Sequence, residues 1–152
     1  MALLTGIKAP AFNLPNQNGE MVSLSDFKGK KLAIYFYPKD STATCTVQAC
    51  NLRDHFIVLK KAGINLIGVS MDSQKRHQNF IQKNDLPFPL LSDAEGKMVQ
   101  DYAVWGEKKL YGKSYMGILR TTYLIDEKGY IAHVIDKVKS KEHAEQIISL
   151  WK

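Results

Sequence analysis

The chain alternates short apolar runs with amphipathic segments, a pattern typical of an α/β protein. KLAIYFY (31–37) and INLIGVSM (64–71) are rich in branched and aromatic residues, and each predicts a buried strand. The segment between them has helical periodicity. A strand–helix–strand unit of this kind predicts two parallel strands joined by a right-handed crossover.

The helix between these strands is indicated by apolar residues at spacings of three and four. Ala49, Leu52, Phe56 and Leu59 fall on one face of a helix that we predict from about residue 43 to residue 62. Gly63 fits the position just past the helix end, where a left-handed residue is favoured.

The remaining segments complete a mixed sheet with helices on both faces. The predicted elements are a hairpin over 11–24 that turns at Asn18-Gly19, a helix over 73–84 capped by Asp72 or Ser73, a strand over 88–91, a helix from Ser92 or Asp93 through about Ala103, an irregular Gly-rich segment over 104–118, a hairpin over 121–135 around 127–129, and a helix over 141–152. This order matches the thioredoxin fold with an N-terminal β-hairpin extension. We predict one α/β domain over residues 1–152.

Composition and charge exclude some classes of protein. The 45% apolar share is enough to fill a core without a disulfide, and the net charge of +6 comes from scattered lysines and arginines. A solvated basic surface is therefore favoured over nucleic-acid binding. The sequence shows no secretory leader and no apolar run long enough to span a membrane, so we expect a cytoplasmic protein without a membrane partner.

The two cysteines lie together in YFYPKDSTATCTVQAC (35–50). Cys45 falls in the first turn of the predicted helix, where free backbone N–H groups and the helix dipole favour an anionic sulfur. In a regular helix the Cα atoms of Cys45 and Cys50 lie about 8.6 Å apart. A disulfide requires less than about 7 Å, so the pair can bond only if part of the helix unwinds. A reversible bond is favoured over a permanent one.

Two other interpretations of the cysteines compete with a reactive pair. A zinc site is disfavoured, because the two thiols are too far apart in sequence and His55, His77, His133 and His143 are dispersed. Two inert, buried cysteines fit the pattern as well, since buried cysteine is common in protein cores.

The residues around Cys45 resemble a known family. Residues 38–45, PKDSTATC, resemble the Pro-x-x-x-Thr-x-x-Cys motif of peroxiredoxins, and CTVQACNLRD (45–54) resembles the subgroup called bacterioferritin comigratory protein or peroxiredoxin Q. The resemblance continues over nearly the whole chain. Further matching segments are KAPAFNLPNQNGE, FYPKD, FPLLSD, VWGEK and GILRTTYLIDEKG.

The resemblance implies a function and a set of residues. It makes Cys45 the peroxidatic cysteine and Cys50 the resolving cysteine, with Thr42 and Arg120 as supporting polar groups and Pro38 as a shield against water. The implied reaction reduces hydrogen peroxide and organic hydroperoxides through a sulfenic acid and an intramolecular disulfide. The implied partner is thioredoxin or a similar dithiol, with no cofactor, no metal and a monomeric state.

Each supporting residue also has a purely structural interpretation. Pro38 fits the end of a strand, Thr42 fits a helix cap, and Arg120 fits a surface charge. Ala43-Thr44 stands where the subgroup often has Pro-Gly, which leaves the chemistry intact but changes the expected stiffness of the loop and the ease of helix unwinding.

Two other functions are considered. A disulfide reductase fits the fold, but the chain lacks Cys-x-x-Cys. A basic binding module for nucleic acid or another acidic partner lacks a clustered basic face and an array of stacking aromatics.

Overall fold

The computed structural model describes residues 2–151 and centres on a five-stranded mixed sheet of order β5-β4-β3-β8-β9. The strands are β1 (Asn13–Pro15), β2 (Met21–Ser23), β3 (Lys31–Phe36), β4 (Ile64–Ser70), β5 (Leu90–Ser92), β6 (Trp105–Leu110), β7 (Lys113–Ile118), β8 (Thr121–Ile125) and β9 (Ile131–Ile135). The α-helices are α1 (Ala43–Asp54), α2 (Phe56–Lys61), α3 (Gln74–Asn84), α4 (Lys97–Asp101) and α5 (His143–Leu150). Single 3-10 turns cover Leu24–Phe27 and Ser140–Glu142.

The sheet is parallel on one side of β3 and antiparallel on the other. β3 pairs parallel with β4, which pairs parallel with β5, and β3 pairs antiparallel with β8, which pairs antiparallel with β9. The predicted parallel pair and the late hairpin are thus confirmed. Within the described residues, no helix is long and apolar enough to cross a membrane.

Alternating residues of β3 divide the core between the two faces of the sheet. Ala33 and Tyr35 face a cluster formed with α1, α2, α3 and α5. Leu32, Ile34 and Phe36 face a second cluster formed with α4 and the N-terminal segment. The predicted thioredoxin fold, a mixed sheet flanked by helices with a β1–β2 hairpin in front, is confirmed, although four helices pack on the first face and only the short α4 on the second.

The helix predicted over residues 43–62 is interrupted at His55. Its backbone leaves helical geometry there (φ −109°, ψ 11°), and the chain continues as α2. The imidazole Nδ1 of His55 donates to the Asn51 carbonyl at 2.9 Å and so competes with the backbone for that acceptor. The apolar periodicity runs through both helices, because Ala49, Leu52 and Leu59 are all buried, and it therefore conceals the break.

The helix predicted from Ser92 or Asp93 to Ala103 is shorter than expected. It begins after Gly96, whose φ of +75° is left-handed, and the Asp93 carboxylate accepts from the Val99 N–H at 2.8 Å. Asp93 therefore accepts a hydrogen bond from the first turn of α4, but Gly96 and not Asp93 is the residue immediately before the helix.

The segment over residues 104–118 was predicted to be irregular, and this is wrong. It forms the antiparallel hairpin β6–β7, which turns at Tyr111-Gly112 with φ of +51° and +76°. The glycines inside it admit neighbouring side chains. A Cβ on Gly106 would lie 2.9 Å from Leu119 Cδ1, and one on Gly117 would lie 3.2 Å from Lys108 Cδ. These glycines therefore serve close packing within strands and do not mark a loop.

The Tyr35 ring packs directly against the backbone of Gly68 in β4. A Cβ there would lie 2.7 Å from Leu90 Cδ2 and 2.8 Å from two carbons of the Tyr35 ring. Because these side chains are buried, we expect Gly68→Ala to lower the free energy of unfolding by about 1–3 kcal/mol in urea titrations. Gly117→Ala is the control with a smaller expected loss, because its nearest neighbour is a flexible lysine methylene. Equal losses in the two variants would contradict this packing.

His143 joins α5 to the sheet as a neutral side chain. Its Nδ1 donates to Gln146 Oε1 at 2.9 Å, and its Nε2 accepts from the Thr122 hydroxyl at 2.7 Å. Burial lowers the pKa of His143 to about 4, and the positive charge of Arg120 acts in the same direction. The unfolded chain, with an ordinary histidine pKa near 6.5, therefore binds this proton more readily.

We expect stability to fall as pH drops from about 6.5 to about 4, by about 3 kcal/mol from His143 alone. Below that range both states are protonated and this contribution is constant. Unfolding by urea at a series of pH values measures the slope, and His143→Gln removes this part of it. His133→Gln is the control for loss of an imidazole and retains the slope, because His143 is still present.

Candidate active site

Cys45 lies in the first turn of α1 and is almost completely buried, with 2% of its surface exposed. Thr42 precedes the helix in an extended conformation (φ −79°, ψ 158°), and no side chain caps the first backbone N–H groups. The positive end of the helix dipole therefore faces the sulfur without competition from a capping oxygen.

Arg120 supplies a guanidinium to the sulfur from the connection between β7 and β8. Its Nη2 donates to Cys45 Sγ at 3.2 Å, and its Nη1 donates to Gln48 Oε1. Cys45 and Gln48 are three residues apart on α1 and thus on one face, so the planar fork spans both. The structure brings these two predicted residues, Cys45 and Arg120, into direct contact, so a permanently charged donor faces the sulfur.

Lys108 is a second cation near the site, where it lines one pocket with Arg120 and another with Thr42. Its Nζ donates to the Ile118 carbonyl at 3.1 Å. Burial lowers the pKa of Lys108, the charge of Arg120 lowers it further, and the charge of Cys45 opposes them. Sequence reasoning missed Lys108 and Gln48. The available signal for Lys108 was the Tyr111-Gly112 turn, which places residues 108 and 115 opposite each other in a hairpin.

Thr42 and Pro38 lie in the loop before α1, and the Thr42 hydroxyl hydrogen-bonds that loop and not the sulfur. The Thr42 hydroxyl donates to the Lys39 carbonyl at 3.1 Å, which leaves its oxygen free to accept. Both residues line a cleft of about 340 Å³ between the 38–42 loop and the β6–β7 hairpin. The full lining is Pro38, Lys39, Thr42, Met71, Trp105, Lys108, Tyr115, Gly117 and Ile118.

Cys50 lies on the same helix as Cys45 but is only partly buried, and both thiols are free. Its Sγ is 3.8 Å from Asn84 Oδ1, at the end of α3. Because α1 is continuous from Ala43 to Asp54, the two cysteine Cα atoms are separated by about 8.6 Å. With α1 intact, the two sulfurs cannot join.

The loop in front of Cys45 is held by a buried polar network. Asp40 accepts from the Tyr37 hydroxyl at 2.5 Å and pairs with His77 Nδ1 at 2.6 Å, and both Asp40 and His77 are buried. The Asp40 N–H donates to the Asp72 carboxylate at 2.8 Å. These contacts fix the loop although Ser41 adopts a left-handed φ of +64°. His77 thus has a structural role.

The described residues 2–151 contain no group of three or more His, Cys, Asp or Glu side chains that could hold a metal ion. The chemistry on offer at this site is that of one buried sulfur, a guanidinium, an ammonium and free backbone N–H groups. Together these groups suit nucleophilic attack by the sulfur on a small polar bond.

Comparison with known proteins identifies the family of this chain. The AhpC/TSA family model matches residues 5–134. Peroxiredoxin Bcp of Escherichia coli is 45% identical over 99% of this chain and 96% of its own length, and that of Bacillus subtilis is 45% identical over 100% and 97%. The structure of Xanthomonas campestris peroxiredoxin Q superposes with a TM-score of 0.88 at 36% identity, covering 95% of this chain and 94% of the other. This chain therefore belongs to the AhpC/TSA family, and within it to the peroxiredoxins of the bacterioferritin comigratory protein or peroxiredoxin Q subfamily.

Proposed function

We propose that this thiol peroxidase uses Cys45 to reduce hydrogen peroxide and organic hydroperoxides, and regenerates it through an intramolecular disulfide with Cys50. The observation that carries the proposal is the 3.2 Å contact between the Arg120 guanidinium and Cys45 Sγ at the start of α1. Partial burial of a guanidinium costs free energy, and a cysteine that only packs in the core would give no reason to place one beside it.

The first step is attack of the Cys45 thiolate on the outer peroxide oxygen. An S–O bond forms, the O–O bond breaks, and the leaving oxygen takes a proton to become water or an alcohol, so Cys45 becomes a sulfenic acid. Arg120 donates to the sulfur and to the developing negative charge on oxygen, and it remains charged throughout. The Thr42 hydroxyl accepts from the peroxide O–H, and Pro38 limits the access of water.

The second step joins the two cysteines. The first turns of α1 unwind, the Cys50 sulfur attacks the Cys45 sulfur, and hydroxide leaves with the Cys50 proton as water. Unwinding is required because about 8.6 Å separates the two Cα atoms in the helix. An external dithiol, thioredoxin in our proposal, then reduces the disulfide and is itself oxidised. We further propose that the protein is a cytoplasmic monomer with an antioxidant role.

The cleft supports organic hydroperoxides among the substrates. Its walls include the side chains of Met71, Trp105 and Tyr115, which suit an alkyl group. One solved structure in the same subfamily, from Xanthomonas campestris, carries a description that refers to alkyl peroxide reduction by bacterioferritin comigratory protein. That protein is 35% identical to this chain.

We expect Arg120→Met to lower the second-order rate constant for peroxide by about 100- to 1000-fold, because the main charged donor at the sulfur is lost. Arg120→Lys keeps the charge but not the planar fork, so it should fall between Arg120→Met and the unmodified protein. Stopped-flow fluorescence with limiting peroxide measures the rate. A rate for Arg120→Met within a few fold of the unmodified protein would contradict the assigned role of Arg120.

We expect Cys45→Ser to abolish peroxide consumption in a thioredoxin-coupled assay. Cys50→Ser should undergo one turnover and stop at oxidised Cys45, unless an external thiol is supplied. Mass spectrometry after one equivalent of peroxide should show the unmodified chain with a Cys45–Cys50 bond. Undiminished turnover in Cys45→Ser, or a disulfide linking two chains, would reject the mechanism.

A further inference from the structure

Two buried hydrogen-bond donors, one on α1 and one in the core cluster that α1 shares, have no acceptor in the closed structure. Within residues 2–151, Tyr35 Oη, Gln48 Nε2 and Ser92 Oγ are the buried side-chain polar atoms without a partner. Gln48 lies on α1 itself, and Tyr35 lies on β3 in the same core cluster as Cys45 and Ala49. A buried, unpartnered donor disfavours its conformational state by about fivefold to a hundredfold in an equilibrium constant.

The Tyr35 phenol is fully enclosed in the core cluster that also contains Cys45 and Ala49 of α1. Its residue is 1% exposed, and its ring packs on Tyr37 and Phe88 with centroid distances of 5.2 and 5.9 Å. Burial raises the pKa of Tyr35 well above 10, and the negative charges of Asp40 and Cys45 add to the shift, so the hydroxyl stays a donor. A phenylalanine ring fills the same space and leaves no donor unpaired, so the hydroxyl gives the closed state no benefit.

We propose that the Tyr35 hydroxyl shifts α1 toward unwinding and so speeds formation of the Cys45–Cys50 disulfide. The hydroxyl lacks a partner when α1 is closed, and it gains one when residues 43–50 unwind and water and freed backbone groups reach it. A group shifts an equilibrium only by its difference in interaction between the two states, and here that difference favours the open state. Gln48 acts in both directions, because its Nε2 lacks a partner in the closed helix whereas its Oε1 accepts from Arg120 there.

This inference rests on the proposed function, because the open helix is the state in which the two sulfurs meet. Disulfide formation competes with a second oxidation that converts the Cys45 sulfenic acid to sulfinic acid. A helix that opens readily shortens the life of the sulfenic acid. The Tyr35 hydroxyl thereby raises the peroxide concentration at which Cys45 is converted to sulfinic acid.

Tyr37 provides a matched control on the same strand. It is also 1% exposed and faces the same core cluster, but its hydroxyl donates to Asp40 Oδ1 at 2.5 Å. Tyr35→Phe removes a donor without a partner and stabilises the closed state. Tyr37→Phe removes a hydrogen bond that is made and leaves Asp40 with one fewer donor, so it destabilises the closed state. The same chemical change at two stacked rings should therefore have opposite effects.

Hydrogen exchange in the reduced protein tests the inference without any peroxide chemistry. Mass spectrometry of peptides that cover residues 43–50 should show Tyr35→Phe exchanging about fivefold to a hundredfold more slowly than the unmodified protein. Tyr37→Phe should exchange faster, because it loses a hydrogen bond that the closed state makes. Unchanged or faster exchange in Tyr35→Phe would overturn the inference, since it would mean that the hydroxyl already has a partner in the closed state.

A second measurement follows disulfide closure directly. The reduced protein is mixed with one equivalent of hydrogen peroxide, quenched with an alkylating reagent and analysed by mass. Closure should be slower in Tyr35→Phe, and at higher peroxide doses its sulfinic acid should accumulate earlier. If the unmodified protein forms no disulfide, the proposed function is wrong. The effect of the Tyr35 hydroxyl on helix opening is then tested by hydrogen exchange alone. If the unmodified protein closes and Tyr35→Phe closes at the same rate, the inference is overturned.

Discussion

The contact between Arg120 and Cys45 joins parts of the chain that are 75 residues apart. It requires that α1 begin two residues before Cys45 and that the β7–β8 connection lie beside that point. The second condition follows from the register of the central sheet, where Phe36 at the end of β3 pairs with Thr121 at the start of β8. Arg120, the residue before that pair, then lies next to the chain segment that leads from β3 into α1. The site is thus fixed by backbone pairing in the most buried part of the protein.

Two demands act on α1 in opposite directions. The helix must be closed to bring its free N–H groups and Cys45 to the guanidinium, and in the proposed cycle it must open to let Cys50 approach. The loop before the helix is anchored through Asp40 by Tyr37, His77 and Asp72, so that end remains attached when the helix opens. The core cluster that α1 shares contains the unpaired hydroxyl of Tyr35, which in our proposal makes the closed helix less stable than its packing alone would.

Much of the fold could be predicted because local sequence and tertiary environment agree. The apolar runs of β3 and β4 are strands, and the Asn18-Gly19 and 127–129 turns close hairpins, as their residues indicate. The β6–β7 hairpin was missed because Gly106 and Gly117 suggested a loop, whereas they make room for Leu119 and Lys108. Only the three-dimensional neighbours of a glycine distinguish these two cases. The break at His55 was missed because the apolar repeat continues across it.

In the candidate site, too, local sequence predicts some features and others depend on three-dimensional packing. Cys45 and Arg120 were identified from a motif and do lie in contact. The contact of Arg120 with Gln48 and the Asp40–His77 pair depend on long-range packing that no local sequence pattern encodes. For Lys108, the Tyr111-Gly112 turn indicates its pairing within a hairpin but not that the hairpin lies near the site. The interruption at His55 bears on how the helix comes apart. Since α2 starts a new run of helical turns at Phe56 and keeps Leu59 in the core, the loss of the first turns of α1 need not spread past residue 55. In the proposed cycle, α1 alone can therefore unfold and refold, while α2 and the rest of that face of the sheet stay folded.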